Sequence, residues 1–199
     1  MNPVVSYQDF IEFMRWSSNN QDQLLPVILM KPSTMLRLNQ QHQLEHIFDY
    51  FDRRSGKGVQ FFLPGYSHYP DTAFADLLPD YCPYDKNAVA LNLNRLKKIY
   101  YSDDDFINFI ELFENNSPGF RYYGNTELLF VKYVAGTNGE LGKFDFAVFY
   151  RFNLSHMYYS NKESLYPIER FLEEVLHIIR SAKCDDELIA SVNSLLGLE

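Results

Sequence analysis

Two short, mostly apolar runs constrain this chain more than any other feature: LLPVILMKPS at 24–33, continuous through Met30, and VQFFL at 59–63, broken only by Gln60. A strand exposed on one face alternates apolar and polar residues, whereas a strand covered on both faces has no need to. Between the runs, the stretch from about Ser33 to Arg53 reads as a helix. This order predicts a right-handed parallel strand–helix–strand unit over 26–64, covered on both sides.

The flanking segments carry local signals of their own. Ser6 and Asp9 fit a capping box, with Val5 and Phe10 as its hydrophobic staple, and Phe10, Phe13 and Met14 give the helix a buried stripe. Ser102 and Asp105 repeat the box, with Tyr101 and Phe106 as staple and Phe106, Phe109, Ile110 and Phe113 as the apolar face. ELLFVKYV (127–134) and FDFAVFYRF (144–152) read as the strands of a hairpin across the glycine-bearing AGTNGELGK. Strict alternation would put Phe144, Phe146, Val148, Tyr150 and Phe152 on one face of the second strand. The other face carries Asp145, Ala147, Phe149 and Arg151, so both faces are expected to be covered.

Two helices, about 164–183 with a stripe of Ile168, Leu172, Val175 and Ile179, and about 186–196, close the chain. The segment from Tyr66 to Lys86 reads as a long ordered loop, and NAVALNLNRL fits either a strand or a helix start. The expected fold is α/β: a mixed sheet with helices on both faces, an N-terminal parallel β-α-β unit, a C-terminal antiparallel hairpin and two closing helices, all in a single domain, 1–199.

Composition bears on partners. With 17 Phe and 15 Tyr, the chain has more phenol hydroxyls than a core can pair, so some tyrosines are expected at the surface. A net charge of −8 disfavours nucleic acid and anionic membranes and suits a basic protein partner. MNPVVSYQDF lacks the basic start and apolar run of a signal peptide, and no apolar run is long enough to span a bilayer. Cys82 and Cys184, far apart and in no metal-like spacing, read as free thiols, which points to the cytoplasm.

Ligands of open α/β sheets bind at the carboxyl ends of the parallel strands. The expected site is therefore the edge formed by 31–34 and 64–71. Lys31, Ser33 and Thr34 stand at a helix start able to hold a phosphate, though Ser33 serves equally as a simple cap. Tyr66, Ser67 and Tyr69 are the other binding candidates, and His68 is the catalytic candidate, weighed against a loop histidine packed among aromatics. His156 in LSHMYY would join it only if the two loops meet.

HQLEH (42–46) resembles the zinc signature of inverted-motif metallopeptidases over five residues, with His42 and His46 one turn apart. A third ligand would come from Glu111, Glu114 or Glu127, and nothing in the spacing selects one. A solvated helix face accounts for the same residues, and no metal or cofactor is expected. The three aspartates of SDDDF read as favourable charge at a helix start, and Glu173 with His177 as an exposed helix pair. RRSGKGV (53–59) is no phosphate loop, because it leads from helix into strand.

No catalytic constellation is complete. The reading is thus an interaction component, such as an inhibitor, an immunity-like protein or a subunit of an assembly, that binds through an aromatic-rich surface. The alternatives are a nucleotide- or phosphorylated-ligand-binding enzyme or sensor at the 31–34 and 64–71 edge, and a zinc hydrolase through HQLEH.

Overall fold

The computed structural model describes residues 2–4, 6–16, 21–31, 61–69, 89–93, 97–137, 140–154 and 166–198. In chain order these are β1 (Asn2–Val4), α1 (Tyr7–Trp16), β2 (Gln23–Leu29), β3 (Phe62–Pro64), β4 (Tyr66–Tyr69), β5 (Val89–Leu93), β6 (Lys97–Tyr101), α2 (Asp103–Asn116), β7 (Glu127–Val134), β8 (Lys143–Asn153), α3 (Tyr166–Ser181) and α4 (Asp185–Leu196).

A five-stranded mixed sheet runs β1-β3-β2-β7-β8. β2 and β3 are parallel, as the two apolar runs require, and β7–β8 is the antiparallel hairpin. The helix between β2 and β3, and hence the hand of that crossover, lies outside the described residues. β1 is an addition to the expected topology: it pairs parallel with β3, Asn2 opposite Phe62.

Register divides the sheet into two faces. Leu25, Val27 and Leu29 stand opposite Val131, Leu129 and Glu127, and Val131 and Tyr133 in turn stand opposite Phe149 and Phe144. α1 and α2 cover this face with rings: Phe10 sits 4.2 Å from Phe62 and 4.5 Å from Phe144, and Phe113 lies 6.3 Å from Phe144 and 6.0 Å from Phe149. Tilted and edge-to-face contacts of this kind add about 0.5–1.5 kcal/mol per pair to the area buried. Lys132 belongs to the opposite face, where its ammonium meets Asp185 of α4 at 2.8 Å. α3 packs on α4 and buries Phe171, Leu172, Val175 and Leu176. The arrangement is therefore helix, sheet, helix.

The first capping box is realised, while Val5 of its staple lies outside the described residues; the second is realised in altered form. The Ser6 amide donates to Asp9 Oδ2 at 2.9 Å, and the Asp9 amide returns a bond to Ser6 Oγ at 3.2 Å. At α2 the Asp105 amide donates to Ser102 Oγ at 3.2 Å, but the Ser102 amide goes instead to the Gly65 carbonyl at 2.8 Å. The Tyr101–Phe106 staple closes at 5.9 Å, and Phe106, Phe109, Ile110 and Phe113 are the buried residues of α2.

Two expectations are corrected. Residues 66–69 form a strand, not the start of a loop. The stretch 89–93, open in the sequence between strand and helix, is a strand, and with β6 the two make a second, antiparallel sheet ordered β4-β6-β5. Pro64-Gly65 is thus the step from one sheet to the other. Gly65 has φ +78°, and a Cβ there would stand 2.8 Å from Phe106 Cβ and 2.9 Å from the Ser102 carbonyl oxygen, so only glycine fits without strain.

The second correction is in β8. A bulge against Val131/Lys132 leaves 146–148 out of register. It puts Phe144 and Phe149 on one face, while Phe152 goes to the other, 6.1 Å from Phe130. Continuous alternation from Phe144 to Phe152 therefore does not occur.

Candidate functional site

The carboxyl ends of β2 and β3 do meet, but through packing. Tyr66 has no exposed surface, and its hydroxyl donates to the Met30 carbonyl at 3.0 Å. Its ring lies 4.9 Å from that of Tyr101. Expected as a ring for a ligand, Tyr66 is a core residue joining the two sheets. Ser67, His68 and Tyr69 follow it in β4, paired by register with Tyr100, Ile99 and Lys98. Ser33, Thr34, His42, His46, Cys82 and His156 lie outside the described residues, and Cys184 is a free, exposed cysteine.

Lys31, expected to be solvated or to hold an anion, has a partner within the chain. Its ammonium lies 2.8 Å from Asp103 Oδ1 and 5.3 Å from the centre of the Phe106 ring. The Tyr101 hydroxyl donates to the same carboxylate oxygen at 3.0 Å. The hydrogen bond from Lys31 is the main influence holding the Asp103 carboxyl below its ordinary range; burial opposes it and the Tyr101 bond assists. Burial, reinforced by the neighbouring Asp103, pushes the Tyr101 phenol up, so it stays protonated and cannot act as a base. At the start of α2 this knot does the work that an anionic ligand would otherwise do: the Asp103 carboxylate meets both the helix terminus and Lys31.

The same edge of the sheet carries a second group of polar and aromatic residues. Glu127, the first residue of β7, stands beside Leu29 at the end of β2. It is fully buried, and its Oε1 accepts from Arg151 Nη2 at 2.5 Å. Its Oε2 has no hydrogen-bond partner among the described residues. Burial raises the Glu127 carboxyl above its ordinary range, against the opposing pull of Arg151. The Arg151 guanidinium lies 5.3 Å from the centre of the Phe120 ring and 5.8 Å from that of Tyr123.

Phe120 and Tyr123 belong to the loop SPGFRYYGNT (117–126), which joins α2 to β7. The loop is fastened at several points. Ser117 closes α2 by donating its amide to the Phe113 carbonyl at 2.8 Å, and the Phe120 amide bonds the Ser117 carbonyl at 3.1 Å. The Tyr122 amide donates to Glu114 Oε1 at 2.8 Å, and the Tyr122 ring rests 5.5 Å from Phe106. Arg121 Nη1 donates to the Phe120 carbonyl at 2.7 Å and to the Glu114 carbonyl at 3.3 Å. Leu154 at the end of β8 donates to the Thr126 carbonyl at 2.8 Å. Gly119 and Gly124, both at positive φ, bracket the stretch FRYY.

The result is a hydrogen-bonded loop presenting Tyr123 with 75% of its surface exposed, next to Arg151 and two residues from the exposed Arg121, in a chain of net charge −8. The Phe106–Tyr122 contact connects it to the Lys31–Asp103 knot. Sequence reasoning missed this loop. Its signal was an Arg-Tyr-Tyr triplet between two glycines, in the short connection following a well-capped helix.

Of the three carboxylates considered for a third zinc ligand, Glu114 is engaged by Tyr122 and Glu127 by Arg151, while Glu111 is exposed on α2. No group of three or more His, Cys, Asp or Glu side chains placed to hold a metal ion occurs among the described residues, and none of the described helices is long and apolar enough to cross a membrane. No family model matches the chain, and neither a curated protein nor a solved structure resembles it significantly.

Proposed function

We propose that the protein is an interaction component, an inhibitor, an immunity-like protein or a subunit of a larger assembly, that docks a partner protein through the loop 120–124. The observation carrying this reading is Tyr123: 75% exposed, its ring 5.8 Å from a guanidinium, on a loop held by hydrogen bonds at both ends. Tyrosine and arginine dominate interface hot spots, because a rigid amphipathic ring and a planar cation give much contact area for little lost freedom. A loop already ordered in the free chain lowers the cost of association further.

The overall charge of −8 steers a basic partner from a distance, while Arg121 of the loop and Arg151 beside it select what touches them. Purified with its native neighbours, the protein should co-elute with a second chain, and association should slow as salt rises. Recovery as a lone monomer at both low and moderate salt contradicts the reading.

The phosphorylated-ligand reading at 31–34 and 64–71 is less well supported. A phosphate there would compete with Asp103 for Lys31 across 2.8 Å, and Tyr66 has no surface to offer a base or sugar.

A further inference from the structure

We propose that Arg151, framed by Phe120 and Tyr123, is a receptor for one acidic side chain of the partner polypeptide. This rests on the reading of loop 120–124 as a docking surface and adds the chemistry of what it takes. Arg151 spends one N–H group on Glu127, and the rest of its guanidinium has no acceptor among the described residues. Its side chain is 27% exposed, so those donors are recessed but reachable. Phe120 lies against it at 5.3 Å and Tyr123 at 5.8 Å, so a planar group that pairs with the remaining donors would sit beside an exposed ring.

Charge decides the class of ligand. The Arg151 cation already has the Glu127 carboxylate at 2.5 Å, so an incoming anion feels Glu127 as well. Desolvation cost rises with the square of the ligand's charge, whereas attraction to one half-neutralised guanidinium rises only in proportion to it, so a carboxylate of −1 is favoured over a phosphate of about −2. Reach decides its source. The guanidinium sits below an exposed ring, and an Asp or Glu side chain extends from its backbone far enough to meet it. A C-terminal carboxylate would have to bring the main chain itself down between the rings. Apolar residues beside the acid would then cover Tyr123.

The test uses the full chain with 15N-labelled arginine and three probe peptides. One is acetylated and amidated, with a central Glu between two Leu; the second is its Gln twin; the third is the Gln twin with a free terminal carboxyl. The expected result is a saturable shift of the Arg151 Nε–Hε signal with the Glu peptide, at least about tenfold tighter than with either Gln peptide, as a charge-assisted pair requires. In the variants that lack the Arg151 signal, binding is followed by calorimetric titration of the same peptides: Arg151→Lys, which keeps the charge and loses the fork, should weaken binding of the Glu peptide. The double variant Glu127→Gln/Arg151→Gln, which leaves no buried charge unpaired, should abolish it.

Equal binding of Glu and Gln peptides overturns the proposal, as does preference for the free terminal carboxyl, or no movement of the Arg151 signal with any probe. If a native partner is retained by the double variant but lost by Tyr123→Ala, the docking loop survives and the carboxylate receptor does not.

Discussion

Lys31 and Asp103, 72 residues apart in the chain, meet at 2.8 Å and tie the end of β2 to the start of α2. The pair is half in water, with the two side chains 26% and 54% exposed, so solvent screens most of its attraction. Lys31→Ala and Asp103→Asn are each expected to cost no more than about 1 kcal/mol, with a coupling of similar or smaller size in a double-mutant cycle read by urea unfolding. The sign of the pH effect follows from the lowered Asp103 carboxyl. Its contribution is present above the ordinary aspartate range and is lost as pH falls through the folded value, and Asp103→Asn removes that part of the acid dependence. A coupling of several kcal/mol would contradict the screened geometry.

Gly65→Ala should be the most damaging small change at this edge. The backbone is left-handed there, and the added methyl would stand 2.8 Å from Phe106 Cβ. Strain of the left-handed conformation alone costs roughly 1–3 kcal/mol, and the crowding adds to it. The urea midpoint reports the loss; a variant as stable as the parent would show that the step between the sheets is drawn wrongly.

Tyr66→Phe removes the hydroxyl that donates to the Met30 carbonyl at 3.0 Å. The expected loss is about 0.5–1.5 kcal/mol of stability, somewhat more if the carbonyl stays dry. An unchanged melting curve would argue that Tyr66 does not join the sheets in this way.

Glu127 gives a pH effect of the opposite sign to that of Asp103. Burial raises its folded pKa above the unfolded one. Its protonated form is the one the fold prefers, so its favourable contribution is complete below about pH 4.3 and disappears as pH rises through the folded value. Parent stability measured relative to Glu127→Gln should therefore decline with rising pH across that window and then level off. A difference that grows with pH would mean that Arg151 more than compensates the burial.

Much of this frame is written locally in the sequence. The capping residues Ser6, Asp9, Ser102 and Asp105 act within one helical turn, and the hairpin strands carry their own β pattern, so both are legible without a fold. What required the structure depends on distant partners. β1 is three residues long and exists through its pairing with Phe62–Pro64. YSHY looks like a loop until β6 supplies its ladder. The bulge in β8 is a property of two strands, invisible in the unbroken alternation of FDFAVFYRF. At the site, the edge was legible from the parallel strands, but the roles of its residues were not. Tyr66 and Tyr123 are the same side chain in the sequence; packing buries one completely and leaves the other 75% exposed.

The docking surface itself is tested most directly by partner affinity in two single variants of equal folding stability. Tyr123→Ala removes the exposed ring beside Arg151, whereas Leu141→Ser removes an exposed apolar side chain at the other end of the hairpin. Loss of a hot-spot ring costs about 2 kcal/mol or more, roughly thirtyfold in Kd, while a side chain outside the interface costs almost nothing. Thirtyfold weaker binding by Tyr123→Ala with unchanged binding by Leu141→Ser is the predicted result; unchanged binding by Tyr123→Ala would contradict the account.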